Sequence, residues 1–344
     1  VLSIDGNITG SGPDGVVLNE SSAGILTLKG TNTYLGTTTV NAGFLTIDSP
    51  TLNGSIPADL RIGNGVGTPG SAVVKELSSS NISNTSHVTI DRDGRLDLNG
   101  FSETIEGLSG AEPEAAITLG SGTLTISSVT SGGFAGVISG SGGITKTGTS
   151  GSHITLSGDN TYTGTTTVNS GTLVVNGDQP SSDVSVVGSG ILLGSGTVGD
   201  VAAANGTIVS PGGNPLLATG GTAILKTGAL TLSAGGAFDV DVNGTSAGGG
   251  YDRVAATGNV NLGGASLFVL LGISPPGGTV FTIVTTTGSL SGTFAGKPDG
   301  SSFCVGTTPF VIDYTPTSVV LTVSSIGPTV SAPAATTITQ TTCQ

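Results

Sequence analysis

An all-β fold, a parallel β-helix followed by a β-rich C-terminal region, is what this sequence predicts, on three observations. Apolar pairs split by one small polar residue recur along the chain. Within a duplicated segment they return at a fixed interval. Gly- and Asn-rich corners lie between them. The first pattern is the period-2 signature of a strand with one buried face. The second is the signature of a solenoid, in which each repeat stacks on the one before. The third supplies the positive φ angles that sharp corners require.

Composition supports the same class. The 344 residues include 60 Gly and no Trp or Met. That much Gly, with abundant Thr and Val, disfavours helix. No strict Gly-X-Y period accompanies it, which excludes collagen. Charged residues make up 9% of the chain and hydrophobic residues 35%, the reverse of a disordered composition. The net charge of −13 leaves no basic footprint for nucleic acid. The most apolar stretch, around residues 266–273, is too short to span a bilayer. With no Met, Val1 is not a translation start, which points to removal of a secretory signal.

The strands follow in order. Leu26-Thr27-Leu28 is the first clear apolar pair, and Leu45 and Ile47 repeat it at an offset of 19. Leu96-Asp97-Leu98 and Leu124-Thr125-Ile126 come next, with Leu98 to Ile117 read as another step of 19. Ile154 and Leu156 return as Leu173 and Val175 at the same offset. Residues 26–49 and 154–177 share 14 of 24 positions at an offset of 128. Leu26, Leu28, Leu45, Ile47, Ile154, Leu156, Leu173 and Val175 are the expected core. Lys29-Gly30-Thr31-Asn32, Asn41-Ala42-Gly43, Gly158-Asp159-Asn160 and Asn169-Ser170-Gly171 are the expected corners. A sandwich of short strands would also give regular turns, but it has no need of one column recurring at one interval. Further strands, Leu230-Thr231-Leu232 and Phe238–Val242, extend the pattern into the last third. The expected organisation is a β-helix over 1–200, a β-rich region over 201–323 that continues it, and a Thr/Pro/Ala-rich tail over 324–344.

Residues 134–177 and 24–47, with the core NTYxGTTTVNxGxL, closely resemble the autotransporter passenger-associated β-strand repeat. Residues 88–110 resemble the segment that often accompanies it, and 195–323 resemble the C-terminal part of the same passengers. The resemblance implies a right-handed β-helix that is secreted and surface-displayed, a scaffold or adhesive stalk. No membrane β-barrel follows Val323, a departure from the family pattern.

No catalytic constellation, cofactor site or metal site emerges. Asp91, Asp93 and Asp97 have a calcium-loop look but lack the closing ligands, and read as a solvated turn. Asp239 and Asp241 alternate with apolar residues and are expected on one exposed strand face, where a carboxylate pair could serve glycoside cleavage or simply keep an edge soluble. Gly248–Asp252 reads as a turn. His87 and His153 stand at strand starts with no nucleophile motif beside them. Tyr34 and Tyr162 occupy equivalent repeat positions and read as members of an aromatic ladder rather than sugar platforms. Cys304 and Cys343, the two cysteines of an exported chain, read as a disulfide.

A solenoid has open ends that need caps or partners. Val1, Leu2, Ile4 and Ile8 at one end, and Val330, Ile338 and Thr339 in the tail, are the expected joint residues for strand addition between copies. The function expected from these features is a non-enzymatic extracellular structural protein whose partner is itself, a head-to-tail filament or coat. A monomeric adhesin passenger binding a surface or glycan is the alternative, and a polysaccharide-cleaving β-helix the second alternative.

Overall fold

The computed structural model describes residues 1–20, 24–213 and 221–325. Every element in it is a strand, and nearly all the pairing is parallel. The chain divides into two units, one of residues 1–192 with 196–199, the other of 193–195 with 200 onward.

In the first unit the chain winds through three columns of parallel strands. One column carries Val17–Asn19, the first half of Thr38–Ile47, Leu60–Ile62, His87–Ile90, Gly107–Gly110, Gly132–Phe134, His153–Leu156 and the second half of Thr166–Val175. The second carries Leu2–Ile4, Ile25–Leu28, the second half of Thr38–Ile47, Ala72–Glu76, Gly94–Asp97, Ala116–Thr118 and Val137–Ser139. The third carries Glu103–Ile105, Leu124–Ile126, Ile144–Lys146 and the first half of Thr166–Val175. Successive rungs lie about 4.8 Å apart, the spacing of hydrogen-bonded strands.

Leu26 pairs with Leu45 and Leu28 with Ile47; Ile154 pairs with Leu173 and Leu156 with Val175. These are the registers that the offset of 19 predicts. The step from Leu98 to Ile117 is corrected: Ile117 stands on Leu96, a step of 21. Coil length varies because loops enter at the corners, and the step from Leu45 to Val74 is 29. Leu28, Leu45, Ile47, Ile154, Leu156, Leu173 and Val175 are buried, while Leu26, one rung from the terminal strand Leu2–Ile4, is half-buried.

Stacked corners explain the glycine content better than turn propensity alone. A Cβ on Gly142 would fall on the carbonyl of Gly122 below it, and one on Gly177 on the carbonyl of Gly158. Inside the coil, Phe134 spreads over Gly110 of the preceding rung, where a Cβ would sit 2.7 Å from its ring.

The second unit is also wound in parallel, with longer coils. Val201, Leu230, Val260 and Leu290 stand in register at steps of 29, 30 and 30. Ala237–Val242 lies on Ser266–Leu271 over its whole length. Parallel winding then gives way to an antiparallel meander. Val280–Thr286 pairs with Ser318–Val323, which pairs with Thr308–Thr315, which pairs with Ser301–Val305. Cys304 is exposed on that last strand, and its expected partner Cys343 lies outside the described residues, as do Val330, Ile338 and Thr339.

Candidate functional site

The outward face of the first column in unit 1 carries a shallow concavity. Small side chains stack there in register: Thr89, Ser109, Gly133 and Thr155 on successive rungs. They line a shallow trough of about 480 Å³, with Asp91 and Ser157 along its rim. The trough exists because rungs that would carry long side chains carry Gly, Ala, Ser or Thr instead.

Two imidazoles share this face. His87 faces Gly107, and His153 stands further along the same column. Nε2 of His87 lies 2.7 Å from the Ser109 hydroxyl, and Nδ1 of His153 lies 2.8 Å from the Ser131 hydroxyl. The sequence separates each pair by one full coil, so only the winding brings them together. Asp59 takes the backbone N–H of His87, not a ring nitrogen, at 2.9 Å. The contact is therefore a Ser–His pair without an orienting carboxylate, short of a nucleophilic triad.

The Asp91–Asp97 segment is not the solvated turn expected. Asp93 is fully buried, accepting hydrogen bonds from the backbone N–H groups of Asn64, Gly65 and Gly67 at 2.9, 2.8 and 3.1 Å. Burial alone would raise its pKa, but these donors outweigh it and hold the carboxyl below its usual value. Asp91 pairs with Arg61 at 2.7 Å and Asp97 with Lys75 at 3.3 Å. The carboxylates anchor a long corner loop.

Tyr34 and Tyr162 form no aromatic ladder. Each is buried and shares a hydrogen bond with a Thr one short turn further along the chain, at 2.5 Å to Thr38 and 2.6 Å to Thr166. Their neighbours Asn32 and Asn160 were expected as corners only. Both side chains are buried and reach between coils, accepting from the N–H of Ile8 at 2.8 Å and of Ile138 at 2.9 Å. The repeated Asn-Thr-Tyr was the signal, since a corner needs no such specific triplet twice.

In unit 2, the expected exposed pair Asp239 and Asp241 is corrected: Asp241 is 5% exposed and Asp239 half-buried. Gly248–Asp252 folds back beside them. Asp252 is buried and accepts from the backbone of Ala223 at 2.8 Å and of Asp241 at 2.9 Å. Burial pushes Asp252 up to about 7; burial and then Asp241 push Asp239 up to about 6. On the next rung Phe268 and Leu270, in register with the two aspartates, are exposed. Among the described residues no group of three acidic, His or Cys side chains is placed to hold a metal ion, and no helix is long and apolar enough to cross a membrane.

The model of the passenger-associated-transport-repeat matches residues 21–47 and 144–175, the two segments in which the registers at Leu26–Leu45 and Ile154–Leu173 were found. Both segments are passenger-associated-transport repeats. The chain is 33% identical over 230 residues to the adhesin BmaC autotransporter of Brucella suis biovar 1 (strain 1330), covering 62% of this chain and 6% of that protein. It is 47% identical over 75 residues to an extracellular serine protease of Serratia marcescens, covering 22% of this chain and 7% of that protein. The chain thus spans a small fraction of the length of these relatives. These likenesses place the chain as secreted or surface-exposed.

Proposed function

We propose that this chain is a non-enzymatic stretch of an adhesive autotransporter passenger, a β-helical scaffold whose outward side chains contact a surface or glycan. The observation that carries this reading is the passenger repeat in a chain whose relative over 62% of its length is named an adhesin. The protease relative matches 75 residues, 7% of its own length, and lends little weight to proteolysis. The filament expected from the termini has less support than adhesion, because neither relative is named for polymerisation. The trough over Thr89, Ser109, Gly133 and Thr155 is the contact face we favour, since it offers stacked Thr and Ser hydroxyls along a rigid sheet.

Gly133 supplies the test. A Cβ there would make only ordinary contacts, 3.7 Å from the Thr155 carbonyl, so a large side chain can fill the trough without disturbing the coil. Purified chain should be retained on a glycan array or on intact host cells as a monomer by light scattering. Gly133→Arg should abolish retention at unchanged thermal stability. No retention by wild type on any surface would sink the reading.

A further inference from the structure

The corner between the second and third columns of unit 1 contains two buried carboxyl groups with opposite surroundings. Glu76, at the end of Ala72–Glu76, is fully buried, and neither of its carboxyl oxygens has a hydrogen-bond donor. Glu103, at the start of Glu103–Ile105, is 1% exposed and well supplied. Its Oε2 accepts from the backbone N–H of Asn81 at 2.8 Å and of Ile82 at 3.0 Å, and its Oε1 from Thr104 at 2.8 Å. The two side chains adjoin each other.

Three N–H groups stabilise an anion on Glu103. Nothing stabilises one on Glu76, whose neighbour in register on one side is the apolar Ile47. The charged groups facing the corner worsen the case. Asp97 is nearby and negative, only partly offset by Lys75 at 3.3 Å, and Asp48 takes a hydrogen bond from Ser78 Oγ at 3.3 Å. An unpaired buried carboxylate neutralises rather than bear the desolvation cost. Between two carboxyl groups with no other donor at hand, a shared proton makes the bond.

We infer that this corner is a proton-binding site, with Glu76 held as the neutral acid that donates to the Glu103 carboxylate, fastening the second column to the third. Burial first, then Glu103 and Asp97, push the Glu76 carboxyl up to about 11, in keeping with that assignment. An unfolded chain loses the same proton near the ordinary carboxyl value. The fastening is therefore fully present in acid and weakens progressively as pH rises above that value. A surface protein so built tolerates acid at this corner and is loosened by alkali.

The test uses the full chain. Glu76→Gln keeps the donor and removes the proton, so its melting temperature should match wild type near pH 4 and exceed it by a margin that grows towards pH 9. Glu103→Gln turns an amide NH2 towards backbone donors and should be destabilised at every pH, failure to fold included. Infrared difference spectra should show a carboxylic-acid C=O band in wild type at pH 7 that Glu76→Gln lacks. This last reading stands even if Glu103→Gln does not fold. Parallel pH profiles for wild type and Glu76→Gln, absence of the acid band at pH 7, or one equivalent of a co-purifying cation whose chelation lowers the melting temperature would each overturn the assignment.

Discussion

The Tyr162 hydroxyl and the Thr166 hydroxyl lie 2.6 Å apart inside the coil, and the Tyr34–Thr38 pair of the other repeat reproduces the contact at 2.5 Å. Thr166 also meets the Ser182 hydroxyl at 2.8 Å, so the second pair heads a short buried network. Tyr162→Phe keeps the ring and removes the bridge, leaving Thr166 with a poorer partner set. The expected cost is about 1 kcal/mol, against about 3–5 kcal/mol for Tyr162→Ala, which also opens a cavity. Urea denaturation of the two variants separates the hydroxyl from the ring. Equal costs would mean that the hydroxyl contributes nothing and the repeat keeps Tyr for shape.

Core truncations should report the depth of each rung. Leu173→Ala removes a fully buried side chain in register between coils and is expected to cost about 2–5 kcal/mol. Leu26, whose counterpart in the other repeat is Ile154, lies one coil before the Leu45 that matches Leu173; it is half-buried, and Leu26→Ala should cost distinctly less. Leu45→Ala, at the position of the other repeat that matches Leu173 and equally buried, should cost as much as Leu173→Ala and controls for sequence context. Thermal melts read the costs directly.

The contrast between Leu26 and Leu173 bears on what could be read from sequence. Columns at Leu26–Leu45 and Ile154–Leu173 were legible because both coils lack corner insertions, so one fixed interval aligned them. Ile117 was set on Leu98 and not on Leu96, because its coil is longer and the period was carried over from the tighter repeats. The antiparallel meander after Ser291 went unread, since alternation in 301–323 marks strands but says nothing of their direction. Its tight turns, at Gly306-Thr307 and Pro316-Thr317, were the available cue. Buried polar groups were the least legible. Asp93, Asp241 and Glu76 look like surface residues by type, and only the winding shows that loops or neighbouring rungs cover them. The Ser–His contacts likewise depend on coil length, which no local motif states.

Lys146 is a further group of that kind, pointing into the coil between Ile126 and Val168. Its Nζ donates to the Thr147 carbonyl at 2.5 Å and the Ser152 hydroxyl at 3.1 Å, closing the loop over 147–152. Burial lowers its pKa to about 8. The unfolded chain then holds more protons between about 8 and the usual lysine value, so this residue's contribution to stability rises with pH across that window. Lys146→Met should remove the rise. The difference between wild-type and variant melting temperatures, followed from pH 7 to 10, isolates it from the opposite trend of Glu76. A difference that stays flat would show that the ammonium is as well solvated folded as unfolded.

Asp239 tests unit 2 in the same way with the opposite sign. Its carboxyl is pushed up to about 6 by burial and then by Asp241, and one of its oxygens has no donor. The folded state therefore holds the proton more tightly than the unfolded chain, and the associated stability is lost as pH rises through about 6. Asp239→Asn removes the charge, so its melting temperature should gain on that of wild type between pH 4 and pH 8.

Glycine placement gives the most local prediction. Gly142 and Gly133 are close in sequence within unit 1, yet their surroundings differ completely. A Cβ on Gly142 would overlap the Gly122 carbonyl of the rung below, and backbone held in a stack cannot retreat from it. On Gly133 the same atom meets nothing closer than 3.7 Å. Gly142→Ala should therefore lower the melting temperature sharply while Gly133→Ala leaves it nearly unchanged or slightly raised, through the reduced entropy of the unfolded chain. Ordinary helix or strand propensity predicts the same sign at both positions. Only rungs stacked corner over corner predict opposite outcomes, so equal effects at the two glycines would count against the winding itself.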